Sequence, residues 1–536
     1  MGVHAVRGDG PAWDRLERWA WGGLLLLSLA LRLWSLGSRA FHHDESIHGH
    51  FSYDLKKNGT YVYDPVYHGP VQYFMVASTF RILGDSDFTA RLPAALGGVG
   101  LVAMAILLRA RFGRGAAFAS GVLLAVSPNL LYFTRFCRED VWSLLGTFGL
   151  FLWLDRWWRT RRVADLGLAA VWGAVAFASK ENFYVLGALM VPSVLASVWE
   201  PGKGFPAFAK IRSLLDVLEH HGAAILGAVF LFFTLSEVAY TFFLVHADSG
   251  NPAFLAISYW WGQHKVERVG GPWTFYLPRI LQYEFAIVLP ALVWIGMKWR
   301  RFSPAERFVA ALALSSVAMY AYLGEKTPWL IVHQLLPFVP LAGAAWAALC
   351  ASRTRVAAIA VPVGLATVVT TLSLSFWNPL LSPFLPRAES VVFTQTSPEL
   401  MPVVADVVVF AATGADPAAT VTGEAVWPLS WYFRRLPVYW AIPNAGSRPP
   451  FVIVDDTQLG EAQKILGGDY VARQIPLRAW WIPEVSRTPL HPTPRELLVY
   501  LFTRRPWNGD GSEKSPVGSQ NVVVLTRPDL ARSPGR

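Results

Sequence analysis

Long apolar runs separated by short charged connections dominate the first 376 residues of the chain. A helix needs about 20 apolar residues to cross the hydrocarbon core of a bilayer. By that measure eleven spans are predicted. They cover residues 19–36, 88–108, 115–133, 140–154, 164–179, 183–199, 222–245, 281–297, 305–323, 329–350 and 356–376. The pattern therefore predicts a polytopic α-helical membrane protein.

The connections between these spans alternate in charge. With the N-terminus inside the cell, every cytoplasmic connection is basic, as the positive-inside rule requires. These connections are 109–114, 156–162, 203–212, 298–301 and 353–355. Acidic residues gather on the other face. The sequence therefore predicts a multi-pass protein of the plasma membrane whose N-terminus is cytoplasmic.

The last part of the chain has a different pattern. Prolines at 379, 383 and 386 indicate a linker. Helices are predicted beyond it at 398–411 and 494–503, and strands at 420–423, 451–454, 470–474 and 521–525. Such alternation predicts a small α/β domain. We therefore expect a membrane domain at 1–378, with a first outer loop at 37–87, and an extracytoplasmic α/β domain at 379–536.

Composition supports the membrane prediction and limits the partners. Hydrophobic residues make up 53% and charged residues 16% of the 536 residues, and the mean hydropathy is +0.35. A soluble domain of this length would need more polar surface. The net charge of +10 is typical of basic cytoplasmic loops and of contact with anionic membrane lipid. No nucleic acid is expected as a partner. Cys137 and Cys350 fall at opposite ends of predicted helices, so no disulfide is expected.

The first outer loop holds the most informative group of polar residues. Five lie in one short segment: His42, His43, Asp44, Glu45 and His48. Lys56 and Lys57 follow about one helix length later, and Gly59 comes just past them. This order of charges, ending in glycine, predicts a short amphipathic helix along the membrane surface. Either the two carboxylates only cap that helix, or they are part of a reactive site.

A second polar group closes the same loop and consists of Asp64, Tyr67 and His68. Metal binding is one open interpretation of so many histidines. The zinc-protease spacing is missing, because His43 and His48 are five residues apart, although Asp44 and His48 share a helical face. The sequence leaves the metal unknown and indicates no certain cofactor, with a divalent cation as an open alternative.

Charged residues also lie at the outer ends of three later spans. They are Arg135, Arg138, Glu139 and Asp140, then Lys180 and Glu181, then Glu325 and Lys326 with Trp329 close by. Each group has a simple explanation as a local ion pair at the membrane interface. Because all of them are predicted on one face with the first loop, they are also expected to form a shared site for an anionic head group.

Six segments of the chain resemble one known family. They read HHDESIH (42–48), YDPVYHGP (63–70), GDSDFTARL (84–92), KEN (180–182), EKTPWL (325–330) and WPLSWY (427–432). These segments look like the prokaryotic family of archaeal flippase-activity-associated glycosylation proteins. That family is similar to protein O-mannosyltransferases and to the aminoarabinose transferase of lipid A. The resemblance implies the type C glycosyltransferase (GT-C) fold and a polyprenyl-phosphate sugar donor.

The resemblance also implies roles for individual residues. Asp44 matches the catalytic acidic residue, with Glu45 beside it, and Glu139 or Asp140 resembles the second acidic site of the family. The expected reaction needs a carboxylate to accept the proton of the acceptor hydroxyl, and cations to stabilise the departing lipid phosphate. Candidates for the phosphate are Arg135, Arg138, Lys180 and Lys326. Tyr67 and His68 are expected to shape the sugar pocket.

The expected function is transfer of a sugar from a polyprenyl-phosphate donor to an acceptor hydroxyl on the outer face of the membrane. The acceptor, whether glycan, lipid or protein, is unknown. One alternative is a flippase or transport accessory for lipid-linked sugars. Transporters place charged sites near the membrane midplane and often carry paired repeats, and this sequence indicates neither. Another alternative is a scaffold whose outer domain binds partners, which leaves the carboxylate groups unexplained.

Overall fold

The computed structural model describes residues 14–199, 204, 207–247, 252–263, 271–351, 356–372, 374, 389–480, 493–503 and 518–530. Three predicted features lie outside these residues. They are Lys203, the basic connection 353–355 and the proline-containing linker at 379–386.

Helices make up almost all of the described chain up to residue 372. They are α1 (Arg15–Leu33), α2 (His43–Asn58), α3 (Val71–Leu83), α4 (Asp87–Met104), α5 (Arg109–Phe112), α6 (Arg114–Val126), α7 (Pro128–Phe133), α8 (Asp140–Thr160), α9 (Val163–Phe177), α10 (Asn182–Val198), α11 (Ala207–Tyr240), α12 (Pro252–Gln263), α13 (Tyr276–Tyr283), α14 (Phe285–Lys298), α15 (Pro304–Tyr322), α16 (Ile331–Leu335), α17 (Val339–Ala351) and α18 (Val356–Leu372). Each of the eleven predicted spans overlaps one or more of these helices.

The helices form an apolar bundle of the kind that spans a membrane. Among the described residues, three helices are long and apolar enough to cross a bilayer: Asp87–Phe112, Leu215–Tyr240 and Pro328–Ala351. The pair Tyr276–Tyr283 and Phe285–Arg301 is bent by 100° and would make a fourth span if counted as one. Several other apolar helices are shorter. Large apolar side chains such as Phe230 stay exposed on α11, as expected where a helix faces lipid.

Buried charged residues bind the helix ends at two breaks in the bundle, between α6 and α7 and between α13 and α14. The helix that begins at Arg114 stops at Val126, and α7 starts again two residues later. Arg32 donates to two carbonyl oxygens in the last turn of α6, at 3.1 and 3.4 Å. Glu284, at the bend between α13 and α14, accepts 2.9 Å hydrogen bonds from the Ser127 hydroxyl and the Asn129 backbone at the start of α7. Each charge therefore complements the dipole of the helix end that it touches.

The C-terminal region forms the predicted α/β domain. Its strands are β1 (Gln395–Thr396), β2 (Ala419–Val421), β3 (Val438–Tyr439), β4 (Phe451–Asp455), β5 (Val471–Trp480) and β6 (Gly518–Thr526). They form one sheet in the order β1-β5-β6-β4-β2-β3. Strand β2 is parallel to β3 and β4, and the other pairs are antiparallel. Its helices are Leu400–Ala411, Val426–Tyr432, Leu459–Leu466 and Pro494–Thr503. The four predicted strands coincide with β2, β4, β5 and β6.

This C-terminal domain is packed firmly against the first loop. Trp431 lies between Phe41 and Phe80, with ring centroids 4.8 and 5.6 Å away, and donates to Asp87 at 2.8 Å. A Cβ on Gly49 of α2 would lie 3.0 Å from the Trp431 ring, so only glycine allows this approach. The WPLSWY segment, which contains Trp431, therefore packs in the interface between the first loop and the C-terminal domain.

A buried carboxylate adds charge to the same interface. The Asp85 side chain binds Lys56 of α2 at 2.7 Å, and Arg434 and Arg435 of the C-terminal domain at 2.8 and 2.5 Å. Burial would raise the pKa of Asp85, but these three cations together lower it to about 2. The ion cluster therefore stays charged near neutral pH and holds the domain against the loop.

The first loop contains one more helix than the sequence indicated. The predicted surface helix is α2, which ends at Gly59 with φ of 73°, the left-handed conformation that favours glycine. The segment that follows was predicted as loop, yet Val71–Leu83 forms α3 and packs against α2. At 13 residues α3 is too short to cross a membrane, so a pattern of membrane spans does not predict it.

Candidate active site

The start of α2 fixes the position of the acidic pair. His42 is the N-cap, and its Nδ1 accepts from the Asp44 backbone N–H at 3.1 Å. Glu45 accepts from the His42 backbone N–H at 3.0 Å, which completes a capping box. The proton on His42 Nε2 is directed to the Phe393 carbonyl of the C-terminal domain. Capping is therefore done by His42 and Glu45, and the Asp44 side chain remains available for another role.

Asp44 is the carboxylate of this region that a ligand can reach. Its side chain is 20% exposed, while those of Glu45, Glu139 and Asp140 are at most 3% exposed. It forms an ion pair with Arg138, the residue two positions before α8. Burial alone would raise the pKa of the Asp44 carboxyl, but the charge of Arg138, with nearby imidazoles, holds it well below its usual range. Asp44 is therefore a carboxylate at neutral pH.

Glu45 has a different environment. Arg91 of α4 binds both of its oxygens, at 2.7 and 2.6 Å, and the Cys137 backbone N–H donates to it at 2.8 Å. Its side chain is fully buried. Burial would raise the pKa of Glu45, but the charge of Arg91 lowers it to about 2. These contacts saturate the carboxylate, so Glu45 joins α2, α4 and the segment before α8 rather than facing a ligand.

Glu139 and Asp140 lie at the start of α8 and share two cations, Lys180 and Arg138. Lys180 donates to Glu139 at 2.8 Å and to Asp140 at 2.6 Å. Arg138 reaches the same two carboxylates, each at 3.0 Å. His333 of α16 adds a 3.2 Å contact to Asp140. The charged groups at 135–140 and at 180–181 thus meet in one buried network.

The two predicted histidines His48 and His68 reach this network from the first loop. His48 lies 3.1 Å from Glu139, and His68 lies 3.5 Å from it and 2.6 Å from Glu181. Burial lowers the pKa of His68, but the charges of Glu139 and Glu181 outweigh it and raise the pKa above its usual value. Gly69, next to His68, allows the first loop to approach the end of α9 closely, because a Cβ at this position would lie 2.2 Å from the Ala178 carbonyl oxygen.

The remaining predicted residues lie at the edge of the network or away from it. Asp64 caps a short 3₁₀ turn by accepting from Val66 at 2.9 Å, and the ring of Tyr67 packs on Phe51. Trp329 lies under the Arg138 guanidinium at 4.2 Å. This arrangement leaves Trp329 in contact with the network and gives Asp64 a local structural role.

Two of the four predicted phosphate ligands point elsewhere. Lys326 donates to carbonyl oxygens at the end of α15, including that of Ala321 at 2.7 Å, and Arg135 donates to the Trp34 carbonyl at 2.5 Å. Glu325 is half-buried, and its carbonyl oxygen accepts from Tyr276. A charge at the end of a span can turn toward the preceding helix, and Lys326 does so by donating to the last carbonyl oxygens of α15. Arg138 and Lys180 are the predicted cations that the network contains.

An apolar cavity of about 700 Å³ reaches His333, which contacts Asp140 of this network. Its walls come mainly from α8, α10 and α15, and they include Phe148, Leu189 and Leu312. His333 and Tyr320 line it near Asp140, and Arg111 and Asp155 line it farther along α8. Because Ser143 and Trp158, the first and last residues of α8 that line the cavity, are fifteen residues apart on one helix, the cavity runs for about 20 Å. Such a shape suits a long apolar chain whose polar end meets the charged network.

The donors around Asp44 do not form an obvious metal site. Within the part of the chain that the structure describes, no group of three or more His, Cys, Asp or Glu side chains is arranged to hold a metal ion. The carboxylates of the network instead meet Arg138 and Lys180.

Three residues of the site were missed in the sequence. Arg91 lies inside an apolar span, His333 follows the EKTPWL segment, and Arg478 lies on β5, where it contacts His43. The basic side chain of Arg91 within a predicted span was a usable signal, since buried charges in membrane segments are costly without a partner. Nothing local marked His333 or Arg478.

One protein-family model matches a part of the chain. Residues 67–203 match the family model described as dolichyl-phosphate-mannose-protein mannosyltransferase. This stretch includes Arg138, Glu139, Asp140 and Lys180 and begins after Asp44. No curated protein sequence matches the chain significantly.

Solved structures share the fold over nearly the whole chain. ArnT from Cupriavidus metallidurans bound to undecaprenyl phosphate has a TM-score of 0.60 and 14% identity, covering 96% of this chain and 99% of that one. The archaeal oligosaccharyltransferase AglB from Archaeoglobus fulgidus, in complex with an inhibitory peptide and a dolichol-phosphate, has a TM-score of 0.52 and 12% identity, covering 85% and 73%. The chain therefore has the GT-C fold, and the predicted fold class is confirmed.

Proposed function

We propose that this protein is a membrane glycosyltransferase that moves a sugar from a polyprenyl monophosphate to an acceptor hydroxyl. One observation carries the proposal: an accessible carboxylate, Asp44, lies beside a buried cationic network, and that network contacts the wall of a long apolar cavity through His333. The structures of similar fold include one bound to undecaprenyl phosphate and one bound to a dolichol-phosphate. The same lipid class is therefore the donor that we propose here.

In this proposal the polyprenyl chain lies in the apolar cavity and its phosphate reaches Arg138 and Lys180. Both cations are already paired with carboxylates, so a phosphate must share them. Arginine has five N–H donors and can bind a phosphate while keeping part of its carboxylate contacts. The site lies at the end of the bundle beside the C-terminal domain, and we propose that this end faces the outer side of the membrane.

Sharing Arg138 with the phosphate also activates Asp44. A carboxylate held by an arginine is a weak base, and its basicity rises when the cation turns toward another anion. The acceptor oxygen then attacks the anomeric carbon while Asp44 takes the hydroxyl proton. The bond between that carbon and the phosphate oxygen breaks, and its electron pair leaves with the polyprenyl phosphate. Arg138 and Lys180 stabilise the charge that develops there.

The proposal is tested with purified protein and a polyprenyl monophosphate carrying a labelled sugar. A panel of acceptors should include a glycan, a lipid and a hydroxyl-bearing peptide, because the acceptor is unknown. We expect label to appear in one class of acceptor and to depend on the protein. Absence of transfer to every acceptor, under conditions where the lipid binds, would reject the proposed reaction.

The apolar cavity allows an independent prediction about the donor. Val194 lines the cavity on α10 and is 45% exposed. Replacing Val194 with tryptophan fills part of the proposed path of the lipid chain, so we expect the Kd for polyprenyl phosphate to rise about tenfold, the effect of about 1.4 kcal/mol. Lipid binding is measured by scintillation proximity with a labelled polyprenyl phosphate.

Leu195 supplies the matched control for this measurement. It is the next residue on α10, is exposed to a similar degree, 50%, and is not among the residues that line the cavity. Leu195→Trp should bind the lipid as the unmodified protein does. Equal loss of affinity in both variants would mean that the cavity does not hold the chain.

A further inference from the structure

The C-terminal domain places one arginine beside the catalytic carboxylate. Arg478 lies on β5 and its side chain is only 4% exposed. Its guanidinium contacts Gln520 and Glu424 within its own domain and Nδ1 of His43 on α2. The pair Arg478 and His43 is separated by 435 positions in the chain, so it forms only when the domain is packed on the first loop.

This contact determines which nitrogen of His43 carries a proton. An arginine has donors and no acceptor, so Nδ1 must accept the hydrogen bond. A neutral imidazole with an acceptor at Nδ1 carries its proton on Nε2. Burial, followed by the charge of Arg478, lowers the pKa of His43 to about 3. The ring is therefore neutral over the whole range in which the protein would act.

The charged and titratable groups around His43 agree with a neutral ring. They are Arg478 on β5, His42 and Asp44 on α2, and Arg138 before α8. The two cations disfavour a third positive charge at His43, and the nearby carboxylates are already paired, Asp44 with Arg138 and Glu424 with Arg478.

The Nε2–H of His43 is available to a ligand. Its neighbour His42 uses the corresponding proton on the Phe393 carbonyl oxygen. Among the described residues, His43 Nε2 makes no hydrogen bond, and the side chain is half-buried beside Asp44. A donor next to the reactive carboxylate suits an oxygen of the incoming substrate.

We propose that Arg478 is a positioning residue that holds His43 so that its Nε2–H binds an oxygen of the acceptor beside Asp44. This inference rests on the proposed transferase function and assigns the C-terminal domain a part in the acceptor site. The acceptor side is inferred because the cations suited to the donor phosphate, Arg138 and Lys180, lie in the network on the bundle side of Asp44. His43 instead faces the C-terminal domain.

A double-mutant cycle tests this assignment. Arg478→Gln and His43→Gln are each expected to lower kcat/KM for the acceptor about tenfold, as for loss of one hydrogen bond. Because both changes remove the same interaction, the double variant should lose no more than either single variant. Binding of polyprenyl phosphate should be unchanged, and Arg478→Lys should restore part of the activity, since lysine can still donate to Nδ1.

Arg435→Gln is the matched control. Arg435 is in the same domain and also contacts the first loop, but it binds Asp85 and is 61% exposed. Asp85 keeps Lys56 and Arg434 in this variant, so kcat/KM should stay within about twofold of the unmodified protein. The positioning role would be overturned if the losses in kcat/KM of the two single variants multiplied in the double variant. A parallel fall in lipid binding would also overturn it.

A second measurement does not depend on transfer and separates this inference from the proposed function. Imidazole nitrogen-15 NMR of the histidine-labelled protein, with His43 assigned by its absence in His43→Gln, reports the tautomer directly. We expect a neutral ring protonated at Nε2 at pH 5, and a mixture of the two neutral tautomers in Arg478→Gln. A ring protonated at Nδ1 in the unmodified protein overturns the inference even if transfer is found. Absence of transfer with the expected tautomer rejects the proposed function instead.

Discussion

Replacing Asp44 with asparagine is expected to lower sugar transfer on the order of 10²-fold or more while the protein stays folded. An amide cannot take the proton of the acceptor hydroxyl, whereas the carboxylate can. The helix cap is made by His42 and Glu45, and asparagine keeps the size of the aspartate side chain. A purely structural role for Asp44 therefore predicts little change.

The measurement is turnover with saturating donor, accompanied by thermal stability and lipid affinity of the same preparation. Asp44→Asn also removes one of the three carboxylate partners of Arg138, so donor affinity should be equal or higher. Near-normal transfer in this variant would show that the base is another group, and Asp140 would be the next candidate because it lies in the same network.

The second large effect is expected at Glu45, but on folding rather than on chemistry. Glu45→Gln leaves Arg91 buried without its carboxylate, and breaking a buried ion pair in this way costs about 3–5 kcal/mol. We therefore expect a clear fall in the unfolding temperature of the detergent-solubilised protein. Any remaining folded fraction should keep a substantial part of its specific activity, since both oxygens of Glu45 are occupied by protein groups.

The pH dependence of stability provides a check on the same contact. The folded pKa of Glu45, about 2, lies below its ordinary value of 4.5. Its contribution is therefore complete above about pH 4.5 and is lost as the pH falls toward 2. Glu45→Gln should lack this component. Unchanged stability combined with lost turnover would instead assign Glu45 to catalysis, as the sequence motif indicated.

The sequence was sufficient for features that depend on local patterns. Charges at both ends of α2 and Gly59 after it predicted that helix, and alternating strand-like segments predicted four strands of the C-terminal sheet. The resemblance of six segments predicted the GT-C fold. Each of these features depends on residues that are close together in the sequence, because helix dipoles, turn conformations and side-chain periodicity are local properties.

The partners of the site residues required the three-dimensional structure. Glu45 and Arg91 are 46 positions apart, and Asp44 and Arg138 are 94 apart, so no local pattern joins them. Lys326 and Lys180 each lie next to a glutamate at the outer end of a predicted span. Lys326 nevertheless donates to helix carbonyl oxygens, whereas Lys180 donates to two carboxylates. The direction of a charged side chain at a span end depends on packing that the sequence does not display.

The most direct test of the account follows the lipid product of the reaction. Purified protein is incubated with a polyprenyl monophosphate that carries a labelled sugar and with an acceptor that gave transfer in the acceptor panel. The lipid is then analysed by mass spectrometry. Our account predicts one polyprenyl monophosphate released for each sugar transferred, with both products greatly reduced in Asp44→Asn. Recovery of the intact sugar lipid on the opposite side of reconstituted vesicles, with no free polyprenyl phosphate, would contradict it and indicate a flippase.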